Sequence, residues 1–219
     1  MPKQITDIDK IRRLPWLALG TLTVNIFMVL AFSGSVFILF LNELGLNKTR
    51  IGFLLALIPL CQVLSLFIAP ALARFGFKRA YLLFQILRNI AMCFILLTPW
   101  IVSRYSGEAL FPWVATVIFL FSIGRAVSET AIWPWSQEMV PHRMRGKFIA
   151  VNNFITTLAV MITVLAAGFI IGRYEGVGKF IVLISVGLFF GFLSLFFYSM
   201  VLGANPCARE FRNRGNFWR

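Results

Sequence analysis

Residues 51–79 read IGFLLALIPLCQVLSLFIAPALARFGFKR: an uncharged apolar run from Ile51 to Ala73, closed by Arg74, Lys78 and Arg79. The hydrocarbon core of a bilayer is about 30 Å thick and takes about 20 helical residues to cross, so this run is long enough to span it once. A strand of an outer-membrane barrel would alternate apolar and polar residues. Here both parities are apolar, which predicts a helix. Pro59 is compatible with that reading, because neighbouring helices or water can satisfy the carbonyl that a proline frees in a membrane helix.

Five further runs of the same kind flank it: Leu14 to Leu41, Ala80 to Val102, Leu110 to Trp135, Ile149 to Ile171, and Phe180 to Leu202. The chain is 59% hydrophobic and 13% charged, against about half and a quarter in soluble domains, an excess that one core of this size cannot hide. A water-soluble globule is excluded, and 24 phenylalanines exclude a solvated coil. The predicted fold class is an all-α membrane protein: a short segment over 1–13, a six-helix bundle over 14–202, and a basic segment over 203–219. The first run is too long for a secretory leader and has no small-residue cleavage site after it, so it is expected to be retained.

The net charge of +13 would suggest nucleic acid in a soluble chain, but the bases fall in short clusters between apolar runs. Lipid, not nucleic acid, is therefore the expected partner. With alternate loops assigned to alternate sides, 14 Lys and Arg fall on the side of both termini and 5 on the other, which predicts cytoplasmic termini in a plasma (inner) membrane. Trp16, Tyr81, Trp100, Tyr105, Trp113, Trp133, Trp135, Tyr174 and Tyr198 lie near span ends, where interfacial aromatics are expected. Three spans per half would set the second trio upside down relative to the first, an arrangement of transporters.

Two loops carry a resemblance. Pro70-Ala71-Leu72-Ala73-Arg74-Phe75-Gly76-Phe77-Lys78-Arg79 resembles the basic turn between the second and third helices of the major facilitator superfamily. Leu72, Arg74, Gly76, Lys78 and Arg79 match; Pro70 replaces a glycine, Ala73 an aspartate, and Phe77 a base. Gly76 suits a tight reversal that needs a left-handed backbone. Trp133 to Phe148, with Pro141, Arg145 and Gly146, is similar to the connection between that family's fourth and fifth helices. Gates at the cytoplasmic face are what the resemblance implies for these residues. The aspartate is thought to latch one state, so Ala73 puts the latch in doubt. The resemblance covers Leu14 to Leu202 and corresponds to the amino-terminal six-helix half of the family's twelve spans. It implies that two copies pair, that another chain supplies the second half, or that the sequence is a truncated product.

Ions inside the spans single out candidates. A mid-membrane arginine costs about 2.5–3.5 kcal/mol on insertion scales, so each needs a reason. Arg125 and Glu129 stand at i and i+4 of the fourth span and can pair. The pair is either a device that makes the helix insertable or a binding and coupling pair beside a polar cavity, Arg125 for an anionic group and Glu129 for a proton. Arg88 is expected to snorkel toward headgroups or to pair with Glu129, the third helix being peripheral in the family. By the same resemblance Asn25 and Gln62 face the cavity with Arg125, and Asn152, Asn153, Thr156 and Thr157 open the fifth span. Gly34, Gly124, Gly168, Gly187 and Gly191 are expected at close helix contacts.

The resemblance therefore implies a secondary transporter, or its amino-terminal half, moving a small solute by alternating access in symport or antiport, with proton coupling through Glu129. The alternative is a non-transporting membrane scaffold or assembly protein. An enzyme is not expected: a serine nucleophile in the membrane would need a histidine in a facing span, and the sole histidine, His142, lies in a loop. No cofactor is expected, since no P-loop, haem motif or metal-ligand cluster is present, and Cys61, Cys93 and Cys207 are scattered.

Overall fold

A computed structural model describes residues 7–32, 35–104 and 110–201. Gly34, Tyr105, the side chain of Ala73 and the segment 203–219 with Cys207, all singled out above, lie outside the described residues. Helices α1 (Asp7–Ala31) and α2 (Ser35–Glu43) fall in the first apolar run, and α3 (Lys48–Val63) and α4 (Ser65–Phe75) in the second. The third comprises α5 (Phe77–Cys93), a 3-10 turn (Phe94–Leu97) and α6 (Thr98–Arg104). Then follow α7 (Leu110–Met139), α8 (Arg145–Arg173) and α9 (Gly178–Met200).

Among the described residues five stretches are long and apolar enough to cross a membrane: Asp9–Glu43, Phe77–Val102, Leu110–Met139, His142–Arg173 and Gly178–Met200. The run Ile51 to Ala73 is not among them; it is broken at Leu64 into two shorter helices. The continuous helix expected there is corrected for a local reason. Pro59 and Pro70 each remove an amide from the ladder, and between them the backbone tightens to an i−3 bond from Leu64 N to Cys61 O.

The helices pair closely, α1 on α9 and α5 on α7, with α8 against α1 and α3 against α7. Two apolar cores result. One gathers Phe27, Phe32, Phe37, Phe40, Phe121 and Phe180. The other, at the end of the bundle where α1 begins and α9 finishes, gathers Leu17, Leu72, Tyr81, Trp135 and Tyr198. Buried polar residues Gln85, Arg88, Asn89, Ser122, Ser128 and Ser194 accompany them on α5, α7 and α9.

Glycines set the closest approaches. A Cβ on Gly187 would lie 3.0 Å from the Leu30 side chain and 3.3 Å from Ala31 N; one on Gly191 would lie 3.0 Å from the Phe27 ring. These two, with Gly124, are close contacts as expected. Gly168 is not: nothing lies within 4 Å of its missing Cβ, because it is on an exposed face of α8. Gly20, not singled out by sequence, accommodates the Tyr198 ring 2.9 Å from where its Cβ would be.

The aromatic belt divides in two. Trp16, Trp100, Trp133 and Tyr174 are exposed as interfacial residues should be. Tyr81, Trp135 and Tyr198 instead pack on one another inside the bundle, with ring centroids 4.8 to 5.9 Å apart. Position near a span end does not determine which face a residue occupies.

Candidate functional site

Four residues on one turn of α7 place Arg125 and Glu129 on the same helix face. Arg125 Nε donates to Glu129 Oε1 at 2.6 Å, and the side chains are 25% and 35% exposed. From α3, Gln62 Nε2 donates to Glu129 Oε2 at 3.3 Å. One carboxylate thus joins α3 to α7, with both oxygens engaged. Charge-assisted bonds of this type are about twice as strong as neutral ones.

The pair lies on the wall of a cavity of about 580 Å³, within the range of small-molecule sites. α1 contributes Thr21 and Asn25, and α8 contributes Asn152 and Asn153. Asn25 Nδ2 donates to the Thr21 carbonyl of its own helix at 2.8 Å, and Thr21 Oγ1 lies 3.2 Å from Tyr198 Oη. The structure therefore brings Asn25, Arg125 and Glu129 to one cavity, while Gln62 reaches it through Glu129.

Arg88 departs from the sequence expectation. It does not snorkel: it is 3% exposed, its guanidinium lies over the rings of Phe27 (5.3 Å) and Phe121 (5.6 Å), and it lines the cavity. Among the described residues the ion pair of Glu129 is with Arg125, not with Arg88. Sequence reasoning discounted this helix as peripheral, yet α5 turns Tyr81, Gln85, Arg88, Asn89 and Met92 inward together. Their spacings of 4, 3, 1 and 3 are those of one helical stripe, a signal present in the sequence.

The loop residues occupy the end of the bundle where α1 starts and α9 finishes. Gly76 has φ +97°, a left-handed backbone that glycine adopts readily, and reverses the chain from α4 to α5. Lys78 Nζ donates to the carbonyls of Ser199 (2.9 Å) and Val201 (2.5 Å), and Arg13 Nη1 donates to that of Met200. Both bases thus cap the last turn of α9, where carbonyls lack helical partners and the helix dipole favours a cation. Arg74 and Arg79 are exposed. Pro141 opens the short turn His142–Met144, Arg145 Nη2 donates to Gln137 O at 2.5 Å from the cavity wall, and Gly146 is exposed with open space around it.

Lys78→Met keeps most of the aliphatic stem and removes the charge. It is expected to lower stability by about 0.5–2 kcal/mol, the value of a helix-terminal cation with hydrogen bonds. A chemical-unfolding midpoint in one detergent checks this, and Arg79→Met, which removes an exposed base, should shift it far less.

A family model described as Major Facilitator Superfamily matches residues 10–214. Neither the curated proteins nor the solved structures contain a match.

Proposed function

We infer, because this chain belongs to the Major Facilitator Superfamily, that its cavity is the solute pathway of a secondary active transporter working by alternating access. The observation that carries this reading is a cavity among apolar helices with the Arg125–Glu129 pair and the polar side chains of Asn25, Asn152 and Asn153 on its wall. In this reading Glu129 is the coupling group. Protonation would weaken its bonds to Arg125 and Gln62 together, loosening α3 from α7 at the moment a proton is taken up.

The finer architecture rests on packing. If the first three spans repeat in the last three, the contact of the first span with the sixth must have a counterpart between the fourth and the third. The contact of the first with the fifth must likewise have one between the fourth and the second. The pairings α1 with α9 and α5 with α7, and α1 with α8 and α3 with α7, follow that rule and support two inverted three-helix repeats. Arg13 on the Met200 carbonyl puts the start of α1 and the end of α9 at one end of the bundle; the excess of bases supports the cytoplasm for that end.

α8 is the face on which a partner is expected. Ala167 is its one buried residue among those described, and Phe154, Leu165 and Phe169 project away from the bundle. A second six-helix half or a second copy placed there would close the cavity; lipid alone would favour the non-transporting alternative. The mass of the particle in nanodiscs distinguishes these.

Coupling is tested in proteoliposomes with an internal pH dye, screening small solutes for solute-induced proton movement. Glu129→Gln keeps the shape and loses the titration, so proton movement is expected to disappear while downhill solute exchange persists. Unchanged proton movement in that variant removes Glu129 from coupling.

A further inference from the structure

We propose that the cavity takes an organic oxyanion, a carboxylate or a phosphate monoester, and that Arg88, not Arg125, holds it. The proposal rests on the cavity being the solute site of the reading above, and adds the class of solute.

Charge is the first argument. The charged side chains lining the cavity are Arg88, Arg125, Arg145 and Glu129, three guanidiniums against one carboxylate. The carboxylate is committed to Arg125 at 2.6 Å and to Gln62 at 3.3 Å. Arg145 donates to the Gln137 carbonyl. A cationic excess on a cavity wall surrounded by apolar helices selects anions and disfavours cations, because screening by water is weak there.

The second argument is the state of Arg88. Its Nε and Nη2 are buried and have no hydrogen-bond partner among the described residues. Phe27 and Phe121 interact with the cation through their rings, which balances some of the charge but accepts none of the in-plane N–H bonds. A guanidinium presents these donors as a planar fork matched to the two oxygens of a carboxylate or phosphate. Arg125, by contrast, is already neutralised by Glu129.

The third argument is shape. The volume of about 580 Å³ exceeds what an inorganic ion fills, and Val24, Met28, Ile132 and Tyr198 give the wall an apolar part. The preferred ligand therefore has one oxyanion and an apolar or aromatic body.

The test titrates the purified full chain with benzoate, phenyl phosphate and benzylamine, following tryptophan fluorescence and the thermal midpoint. Saturable binding of at least one of the two oxyanions is expected, with benzylamine much weaker; the stronger oxyanion identifies which of the two the site prefers. Arg88→Gln should weaken that binding by about tenfold to a hundredfold, the value of a charge-assisted hydrogen bond or two, and Arg88→Lys by less. Failure of both oxyanions to bind, benzylamine binding as well as benzoate, or equal affinity in Arg88→Gln overturns the proposal. Because the probe comparison uses the natural chain, it decides even if Arg88→Gln does not fold. Oxyanion binding that depends on Arg88 without any transport would remove the transporter reading and leave this site. Transport that survives alongside unchanged oxyanion binding in Arg88→Gln would do the reverse.

Discussion

Gly124→Val is expected to destabilise the folded protein by about 1–3 kcal/mol or somewhat more, the range for forcing added methyl groups into a packed contact. A Cβ at this position would sit 3.2 Å from Arg88 Cβ, 3.2 Å from the Phe84 carbonyl oxygen and 3.4 Å from Arg88 Cα. Two of those three atoms are backbone, so no rotamer change relieves the contact. α5 must retreat from α7 as a body, carrying Arg88 off the cavity wall. Gly168→Val on α8 is the control: nothing lies within 4 Å, and valine has slightly better helix propensity than glycine, so stability should hold or rise a little. Unfolding curves for both variants in one detergent make the comparison. Equal shifts would mean that glycine substitution as such, not the contact between α5 and α7, sets the result.

The same two glycines show why the fold was more legible in the sequence than the interior. Lipid imposes a demand on every residue of a span at once, so run length and absent charge pointed, without tertiary information, to five stretches that are long and apolar enough to cross among the described residues. Which side of a helix faces a neighbour is a rotation, and a helix apolar all round does not encode it. Gly124 and Gly168 therefore read alike, as did buried Trp135 and exposed Trp133. The break at Leu64 was illegible for a related reason: Pro59 and Pro70 announce lost amides but not where the ladder adjusts. Within the site, Arg125 and Glu129 were found because their geometry is contained in one helix turn. Arg88, Gln85 and Tyr81 needed the packing of α5 on α7 and α9, although a polar stripe on α5 was there to be counted.

Arg125→Leu and Glu129→Leu are each expected to destabilise the protein by about 1–3 kcal/mol, and the double variant to be as stable as the natural chain or more so. Breaking a fully buried pair costs about 3–5 kcal/mol, whereas exchanging the whole pair for apolar residues is often neutral or favourable. The side chains here are a quarter and a third exposed, which moderates the single losses. The two singles should also differ. Glu129→Leu leaves Arg125 a permanent cation, since a guanidinium does not deprotonate in proteins. Arg125→Leu leaves a carboxylate that can neutralise itself by taking a proton and can keep its bond from Gln62. The Arg125→Leu defect is therefore expected to be the smaller of the two. Unfolding free energies of the four chains give the coupling as the departure from additivity, expected to be about 1 kcal/mol or more. Additive singles would mean that the 2.6 Å contact carries no net energy, and that α7 tolerates each ion separately through the cavity.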